Sequence, residues 1–378
     1  MSDIIHDMLP IERQNVFLTN TKDIMEAIER TPTKAEDFEK IEKVPPAKIP
    51  STFPHRGFVE DCKGEAFSIR FSPTQTHMAA GCADGVVRVY NPASGRLIQE
   101  MTCDPKNKLP VTSVAFRKPV SGTRGQNILL IGTSSGFVQH WHVTSGKCLH
   151  TLKETGNEIN AVCFSDDSSK FATAGRDMAV RVYDEATRRL THTLTEGYTG
   201  VTAGHSNRIF SVKFHPDDSN MVLSAGWDKS VQIWDLRAGH SVRSIFGAQV
   251  CGDGMDVHGN LVATASYRPS EDNLQLWDFR STELLKNIKW CSETDEKKED
   301  GLQRSLLYSC SFSPDGKQIV AGGAHDNCVK VFDVANDLVL GSIGPLPGSV
   351  FDVAFAPSGS YIAVGSADRT IRVYETIF

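Results

Sequence analysis

The sequence predicts an all-β fold assembled from one repeated unit, and three observations support this prediction. Short runs that alternate apolar and polar residues, rich in Val, Ile and Phe, recur along most of the 378 residues, as half-buried strands do. Many of these runs end in turn residues such as Ser-Pro or Asp-Gly. Two motifs then return in the same order at a steady spacing, which indicates one structural unit that is repeated along the chain.

The first motif is an apolar strand that runs into a tight turn. It reads AFSIRFSP where it ends at Pro73, and further copies read VTSVAF, INAVCFS, IFSVKFHP, YSCSFSPDG and VFDVAFAPSG. The second motif is a strand that ends on an aromatic residue, most often followed by an acid. Its seven copies read VRVYN, VQHWH, VRVYD, VQIWD, LQLWD, VKVFD and IRVYE. Residues 66–378 divided among seven units give about 45 residues each, the period of four-stranded propeller blades.

The seven units resemble the repeats of the WD-repeat β-propellers over residues 66–378, more than four-fifths of the chain. The resemblance implies a single seven-bladed β-propeller over residues 51–378, preceded by an N-terminal extension over residues 1–50. The fifth unit is the least regular, because GDGMDVHGN replaces its first motif. A ring of blades leaves a sheet edge exposed unless its last blade is completed. We therefore expect Phe53–Asp61 to add the missing outer strand in an N-to-C strand clasp.

The fourth unit holds Ser, His and Asp close together, which are the residue types of a catalytic triad. A triad requires an exposed serine beside an oxyanion hole, and the sequence indicates neither. The resemblance implies instead a hydrogen-bonded structural tetrad, formed by His205, Ser224, Asp228 and Trp234. A buried network of this kind is costly to leave half-satisfied, so we expect it to hold the register of the blade's strands. We expect no catalytic residue and no enzyme activity.

The overall composition argues against several classes of partner. The 46 acids and 40 bases are mixed along the chain, with a net charge of −6, so no basic stripe is available for nucleic acid. No apolar stretch approaches the roughly 18 residues that a membrane span needs. We therefore expect protein partners, and we expect neither nucleic acid, nor membrane, nor a small-molecule substrate.

Metal and cofactor sites are not indicated either. Nine cysteines are scattered without a Cys-x-x-Cys pair, which is typical of reduced thiols in a cytosolic protein and not of a disulfide framework or a zinc site. His140 and His142 flank Trp141 and share a strand face, yet a zinc site needs three or four ligands and no third is visible. We expect no metal and no other cofactor, and we expect His140 to be partly buried and hydrogen-bonded.

The first strands suggest a binding surface at the mouth of the central channel. Their alignment places one residue of each unit at an equivalent position near that mouth: Phe67, Thr112, Asn160, Phe210, Asp253, Tyr308 and Phe351. Aromatic residues supply interface energy, and an acid can select a basic side chain. We expect a partner-binding ring here, while the alternative that these residues only pack the strand ends stays open.

Two successive units end in Trp-Asp-x-Arg, with Arg237 and Arg280 at the last position. These endings resemble the signature of propellers that serve as substrate receptors of cullin–RING ubiquitin ligases, in which the arginines would contact the ligase adaptor. The alternative is that Trp-Asp builds the fold and that an arginine two residues further on is common in WD repeats.

The N-terminal extension has the pattern of two short amphipathic helices. Thr21 is a suitable N-cap, and Pro32 stands at the first position of the second helix. The apolar positions are Ile24, Met25 and Ile28 in the first helix and Phe38 and Ile41 in the second. Helices this short are not stable alone in water. We expect them to form an anchoring arm that packs either on a partner or on the chain's own propeller.

Together these features predict a non-enzymatic scaffold for protein interactions, a component of a larger multi-subunit assembly inside the cell. Fold alone does not define function, and WD-repeat proteins serve many pathways. The finer expectation, based on family analogy, is a cytoplasmic location in a cytoskeletal assembly such as the axoneme of a cilium or flagellum, with the nucleus left open.

Overall fold

The computed structural model describes residues 59–119, 127–196, 203–269, 273–290 and 305–376 of the chain. Within these ranges 28 β-strands form seven antiparallel four-stranded sheets. Each of the first six sheets contains four strands that are consecutive in the chain. The predicted all-β, seven-bladed propeller is therefore confirmed.

The strands are numbered in chain order, beginning with β1 (Val59–Asp61). The first three blades are β2–β5 (Ala66–Phe71, Met78–Cys82, Val86–Tyr90, Leu97–Thr102), β6–β9 (Val111–Phe116, Ile128–Thr133, Phe137–His142, Lys147–Lys153) and β10–β13 (Ile159–Phe164, Lys170–Gly175, Val180–Asp184, Leu190–Leu194). The next three are β14–β17 (Ile209–His215, Asp218–Gly226, Ser230–Asp235, His240–Phe246), β18–β21 (Met255–His258, Leu261–Ala265, Leu274–Asp278, Leu284–Asn287) and β22–β25 (Leu306–Phe312, Gln318–Ala324, Val329–Asp333, Val339–Ile343). The seventh blade contains β26–β28 (Val350–Phe355, Tyr361–Ser366, Thr370–Glu375) together with β1.

Burial changes in steps from the inside of a blade to its outside. The second strands lie between two neighbouring blades and are covered on both faces: every residue of β3 and of β7 is buried. The fourth strands form the outer rim, and most residues of β5 and β9 are exposed or only partly buried. The position of a strand within its blade therefore decides whether it reads as an apolar run or as an alternating one.

The hydrophobic core is divided among the junctions between consecutive blades. Each of seven clusters of buried residues draws on two neighbouring blades, and one of them joins the first blade to the seventh. Stacked repeats are stabilised by such neighbour contacts, so a blade with an irregular sequence is still held from both sides.

The seventh sheet has the strand order β1-β28-β27-β26. Val59 pairs with Arg372 and Asp61 pairs with Thr370. The backbone N–H of Cys62 then donates to the carbonyl of Arg369 at 2.7 Å. Residues 53–58 of the predicted clasp segment lie outside the described residues.

The fifth blade is complete in spite of its irregular sequence, since β18 pairs with β19 in regular register. Gly252 and Gly254 of the irregular stretch are required by close backbone contacts. A Cβ added at Gly254 would lie 2.8 Å from the carbonyl oxygen of Ala265 and 3.3 Å from that of Tyr308. The glycine-rich stretch thus lets the first strand of blade five approach blade six.

The described ranges contain no helix long and apolar enough to cross a membrane. The predicted helices of the extension, with Ile24, Met25, Ile28, Phe38 and Ile41, lie outside those ranges. So does most of the charged insertion at residues 291–304.

Candidate functional site

The structure joins the four predicted tetrad residues by direct hydrogen bonds. His205 Nδ1 lies 2.7 Å from Asp228 Oδ2, and His205 Nε2 lies 2.7 Å from Ser224 Oγ. Trp234 Nε1 donates to the same Oγ at 2.8 Å. One proton arrangement satisfies every group: the indole N–H donates to the serine, the serine O–H to Nε2, and the Nδ1–H to the carboxylate. The chain of donors runs from the third strand through the second strand to His205, which precedes the first strand, and ends at Asp228 in the hairpin.

This network is inaccessible to a substrate, because Ser224 and Trp234 are fully buried and His205 is nearly so. Burial opposes the ionisation of Asp228, but its hydrogen bond with His205 and those from the backbone outweigh that effect and hold the pKa of Asp228 below its ordinary value of 3.8. A carboxylate that accepts several hydrogen bonds behaves in this way. The charged form of Asp228 is therefore part of the folded state.

Three other blades connect their third strand to the aspartate of the hairpin before it with an arginine, a pairing that the sequence analysis missed. Where the aromatic residue is Tyr, the residue two positions earlier is Arg, and where it is Trp, that residue is Gln. In the three tyrosine blades the arginine binds the aspartate four residues before it: Arg88–Asp84 at 2.6 Å, Arg181–Asp177 at 2.5 Å and Arg372–Asp368 at 2.5 Å. The Arg-x-Tyr spacing was the available signal.

Blade three shows how a carboxylate replaces the tetrad histidine. Glu154 is buried, and its Oε1 accepts from the Thr173 hydroxyl at 2.5 Å and from the Tyr183 hydroxyl at 3.0 Å. Its Oε2 accepts from Asn157 Nδ2 at 2.8 Å and from Arg181 Nη1 at 3.0 Å. Glu154 thus binds the residues that correspond to Ser224 and Trp234 of blade four.

Blade six uses a tryptophan from the preceding loop. Trp290 Nε1 donates to Asp326 Oδ2 at 2.6 Å, as His205 does to Asp228. Lys330 then donates to the Trp290 carbonyl at 2.7 Å and lies over its ring. No local spacing predicts this arrangement, because the donor comes from outside the repeated motifs.

A belt of short polar side chains joins the first strands around the channel. Ser68 Oγ accepts from Val114 N at 3.2 Å, and Ser113 Oγ accepts from Val162 N at 3.1 Å. In blade seven Asp352 replaces this serine and accepts from Ile69 N at 2.7 Å. Each bond connects one blade to the next, so the belt helps to close the ring.

Arg70 crosses the channel from blade one to two other blades. Its Nη1 donates to Asp352 Oδ2 at 2.6 Å, and its Nη2 donates to Asp253 Oδ2. Asp352 is almost completely buried, with 1% of its side chain exposed, so this guanidinium supplies the charge that a buried carboxylate needs.

The mouth of the channel contains five of the seven predicted ring positions around one pocket. The pocket is small, and its lining includes Phe67, Thr112, Asn160, Phe210 and Asp253. The remaining two ring residues join through aromatic contacts: Phe67 lies 5.1 Å from Phe351, and Phe351 lies 5.4 Å from Tyr308, between ring centroids. The structure therefore brings the whole predicted ring to one place.

The aromatic part of the mouth is longer than predicted. Tyr308 continues to Tyr267 at 4.8 Å, and Phe210 lies 5.3 Å from Trp227. Tyr267 and Trp227 come from the loops that follow the second strands, so a search of first strands alone missed them. All four side chains are partly exposed, which leaves aromatic surface available to a partner.

The polar members of the ring are engaged within the chain. Thr112 donates to the Ile159 carbonyl at 2.5 Å, and Asn160 donates to the Ile209 carbonyl at 2.8 Å. These bonds again connect each blade to the next. Their first role is to hold the blades together, and the aromatic residues carry the surface.

Asp253 has a different setting from the one its sequence position suggests. Its Oδ1 accepts from Ser211 at 2.7 Å, and its Oδ2 accepts from Lys213 at 2.7 Å as well as from Arg70. Two cations of the same chain therefore already face this carboxylate. A basic side chain of a partner would have to displace one of them, so the expected selection of a basic group by Asp253 has no geometric support.

His140 is more deeply buried than the sequence analysis expected, with no exposed surface. Its Nε2 lies 3.0 Å from Glu185 Oε2, and Arg117 Nη1 lies 3.1 Å from Glu185 Oε1. His142 instead contacts Ser145 on the surface. The other blades have an aliphatic residue at the position of His140. A histidine is accommodated here because Glu185 of blade three supplies a carboxylate for it.

The two arginines of the Trp-Asp-x-Arg endings lie in the turns between the third and fourth strands of blades four and five. Arg237 is 60% exposed and binds Asp235 and Asp218, and Arg280 is also exposed. The Arg243 guanidinium donates to the carbonyls of Phe279 and Arg280, which orders the second ending.

Comparison with known proteins agrees with this architecture. The family described as "WD domain, G-beta repeat" matches residues 51–91, 146–184, 196–235, 302–333 and 341–375. These segments correspond to blades one, three, four, six and seven, and the structure shows complete sheets for blades two and five as well. The chain belongs to the WD-repeat β-propeller family.

Curated relatives differ widely in their named roles. Pre-mRNA-processing factor 19 of Oryza sativa subsp. japonica is 27% identical over 81% of this chain and 54% of its own length. Autophagy-related protein 16 of Arabidopsis thaliana is 25% identical over 65% of this chain and 45% of its length. The ribosome biogenesis protein WDR12 homolog of Chlamydomonas reinhardtii is 23% identical over 100% of this chain and 91% of its length. The chain spans about half the length of the first two relatives. The relatives share the repeat but differ in their named roles, so they indicate no single pathway.

Proposed function

We propose that this protein is a non-enzymatic scaffold that holds other proteins in a larger assembly, and that a partner binds at the channel mouth. The observation that carries the proposal is the partly exposed aromatic arc formed by Phe67, Phe351, Tyr308 and Tyr267. Aromatic groups of this kind dominate interface energies. Among the described residues, the polar groups beside them, Thr112, Asn160 and Asp253, are engaged within the chain, which favours binding over chemistry.

Affinity purification with quantitative mass spectrometry tests this proposal. Phe351→Ala combined with Tyr308→Ala should remove the partners that the wild-type chain retains. Phe246→Ala is the matched control, because Phe246 is an aromatic residue that is 68% exposed on β17, the outermost strand of its blade, whereas the mouth is lined by first strands. Equal losses in both variants, or retention of every partner by the mouth variant, would contradict the proposal.

The N-terminal arm is proposed as the anchor of this assembly, and the clasp from Phe53 onward as the closure of the ring. The arm offers few large apolar side chains, each worth about 1.5–3 kcal/mol when buried, against roughly 1–2 kcal/mol of backbone entropy per ordered residue. We expect strong hydrogen-exchange protection of Ile24–Ile41 only when a partner is bound. Protection of the same segment in the isolated chain would mean that the arm packs on its own propeller.

The proposed location is cytoplasmic, in a cytoskeletal assembly such as a ciliary or flagellar axoneme. Family analogy supports this part, and microscopy of the tagged chain tests it. Exclusive nuclear staining would contradict it.

The expectation that nucleic acid is not a partner is tested by a mobility-shift assay with single- and double-stranded RNA at low salt, where non-specific electrostatic binding is strongest.

The second candidate function is that of a substrate receptor for a cullin–RING ubiquitin ligase. It is favoured by the exposure of Arg237 and Arg280 at equivalent positions of neighbouring blades. Reversal of both charges should stop co-purification of the ligase adaptor and the cullin while the melting temperature stays unchanged. If the wild-type chain captures no adaptor from a competent extract, this function is eliminated.

A further inference from the structure

We propose that the channel mouth recognises acidic peptide segments, which it binds through Arg176 and Arg208 with an apolar side chain placed against Phe210 and Trp227. This inference rests on the proposed scaffold function and specifies the chemistry of the partner. It reverses the charge preference that the sequence position of Asp253 suggests.

The cationic part of the proposed site is built around one carboxylate. Arg176 Nη1 lies 2.6 Å from Glu158 Oε1, and Arg208 Nη1 lies 3.5 Å from Glu158 Oε2. One acid thus stands between two guanidinium groups, which leaves a local excess of positive charge. The side chains are 54% and 40% exposed, and an arginine has five N–H donors in a fork that fits a carboxylate.

Backbone hydrogen bonds hold Arg208 beside the aromatic pair and Arg176 beside Glu158. Arg176 N donates to the Glu158 carbonyl, and Trp227 N donates to the Arg208 carbonyl, both at 3.0 Å. Arg208 stands two residues before Phe210, which lines the pocket and contacts Trp227. The backbone bond from Trp227 to Arg208 and the shared Glu158 therefore place the cations and the aromatic pair in one region of blades three and four.

The interior of the channel disfavours a basic ligand. Asp253 already accepts hydrogen bonds from Ser211, Lys213 and Arg70. Asp352 accepts from Ser309, from Arg70 and from two backbone N–H groups. These acids have used most of their roughly four acceptor sites, so neither is available to bind a partner's lysine or arginine.

Glu158 competes with the ligand for both arginines, and this yields an unusual expectation. Glu158→Gln should strengthen the binding of an acidic peptide several-fold, because it removes the only carboxylate that these two arginines contact among the described residues. Arg176→Glu with Arg208→Glu should weaken it by about tenfold or more for each charge-assisted contact that is lost. Both effects should shrink as the salt concentration rises.

The test is a selection of random nine-residue peptides displayed on phage against the full chain. Peptides that lose binding to a Phe210→Ala/Trp227→Ala variant or to the Phe351→Ala/Tyr308→Ala variant are those bound at the mouth. We expect them to be rich in Asp and Glu beside an aromatic or aliphatic residue. Arg96→Glu with Arg189→Glu is the matched control, because both residues are exposed and the net charge changes equally.

Three results would be decisive. Mouth-dependent peptides that bind the control pair normally, lose binding to Arg176→Glu/Arg208→Glu and gain on Glu158→Gln support the proposal. Mouth-dependent peptides that are basic or uncharged overturn the acidic preference but leave the scaffold function intact. If no peptide depends on the mouth, the mouth is not a peptide site, and both the inference and the proposed location of binding are wrong.

Discussion

The indole N–H of Trp234 donates to the hydroxyl of Ser224 at 2.8 Å, and this bond occupies the oxygen that would act as the nucleophile in a hydrolase. Ser224, His205 and Asp228 otherwise stand in the same donor order as a catalytic triad. The hydroxyl is fully buried, and its lone pair accepts the indole proton. The same three residue types therefore connect strands here and have no route to a substrate.

Ser224→Ala should lower the free energy of unfolding by about 1–3 kcal/mol, because it leaves buried polar groups of Trp234 and His205 without a partner. Denaturant unfolding followed by fluorescence measures the change. Ser206→Ala, an exposed serine next to His205, should change stability by less than about 0.5 kcal/mol. An unchanged melting temperature together with lost partner binding in Ser224→Ala would show that Ser224 belongs to a binding site.

Glu154→Gln should destabilise the protein by about 1–3 kcal/mol. The amide offers one acceptor oxygen where the carboxylate serves Thr173, Tyr183, Asn157 and Arg181, and its NH₂ group faces donors. Glu158→Gln is the control on the same blade, since that acid is 36% exposed and pairs only with the exposed Arg176 and Arg208 among the described residues. Equal thermal stability of the two variants would refute the replacement of the tetrad histidine by Glu154.

The contribution of Asp228 to stability should depend on pH. Its folded-state pKa lies below the ordinary 3.8, so the stabilisation by its charged form is fully present above that value and is lost as the pH falls through the folded pKa. The difference in unfolding midpoint between wild type and Asp228→Asn should be largest at pH 5–7 and should shrink below about pH 3.8. A difference that is constant from pH 7 to pH 3 would exclude this linkage.

Arg70→Ala should lower the free energy of unfolding by about 3 kcal/mol, because it removes the cation that is paired with the buried carboxylate of Asp352. A compensating substitution can be read from the equivalent positions of the other blades. Alanine occupies the Arg70 position in blades two and seven, and serine occupies the Asp352 position in blades one and two. Arg70→Ala with Asp352→Ser should recover much of the lost melting temperature, whereas additive losses would show that the two residues are not coupled.

Much of the architecture can be predicted from sequence because its signals are local. The number of blades follows from motifs that recur about every 45 residues, and the tetrad of blade four follows from the residue types within one unit. The Arg-x-Tyr and Gln-x-Trp pairs are equally local. They could have been recognised, since the aromatic residue and its polar neighbour lie on one strand two positions apart.

The contacts between blades were decided only by the tertiary structure. Arg70 and Asp253 are 183 residues apart in the chain, and His140 and Glu185 are 45 apart, so no motif spacing relates them. Packing of the blades against one another places these side chains together, and a charge that is removed from water must find an opposite charge. The sequence by itself determined seven blades and where their first strands begin. The charge of the channel mouth depends on the tertiary structure, because some of the side chains that meet there neutralise one another and others remain exposed.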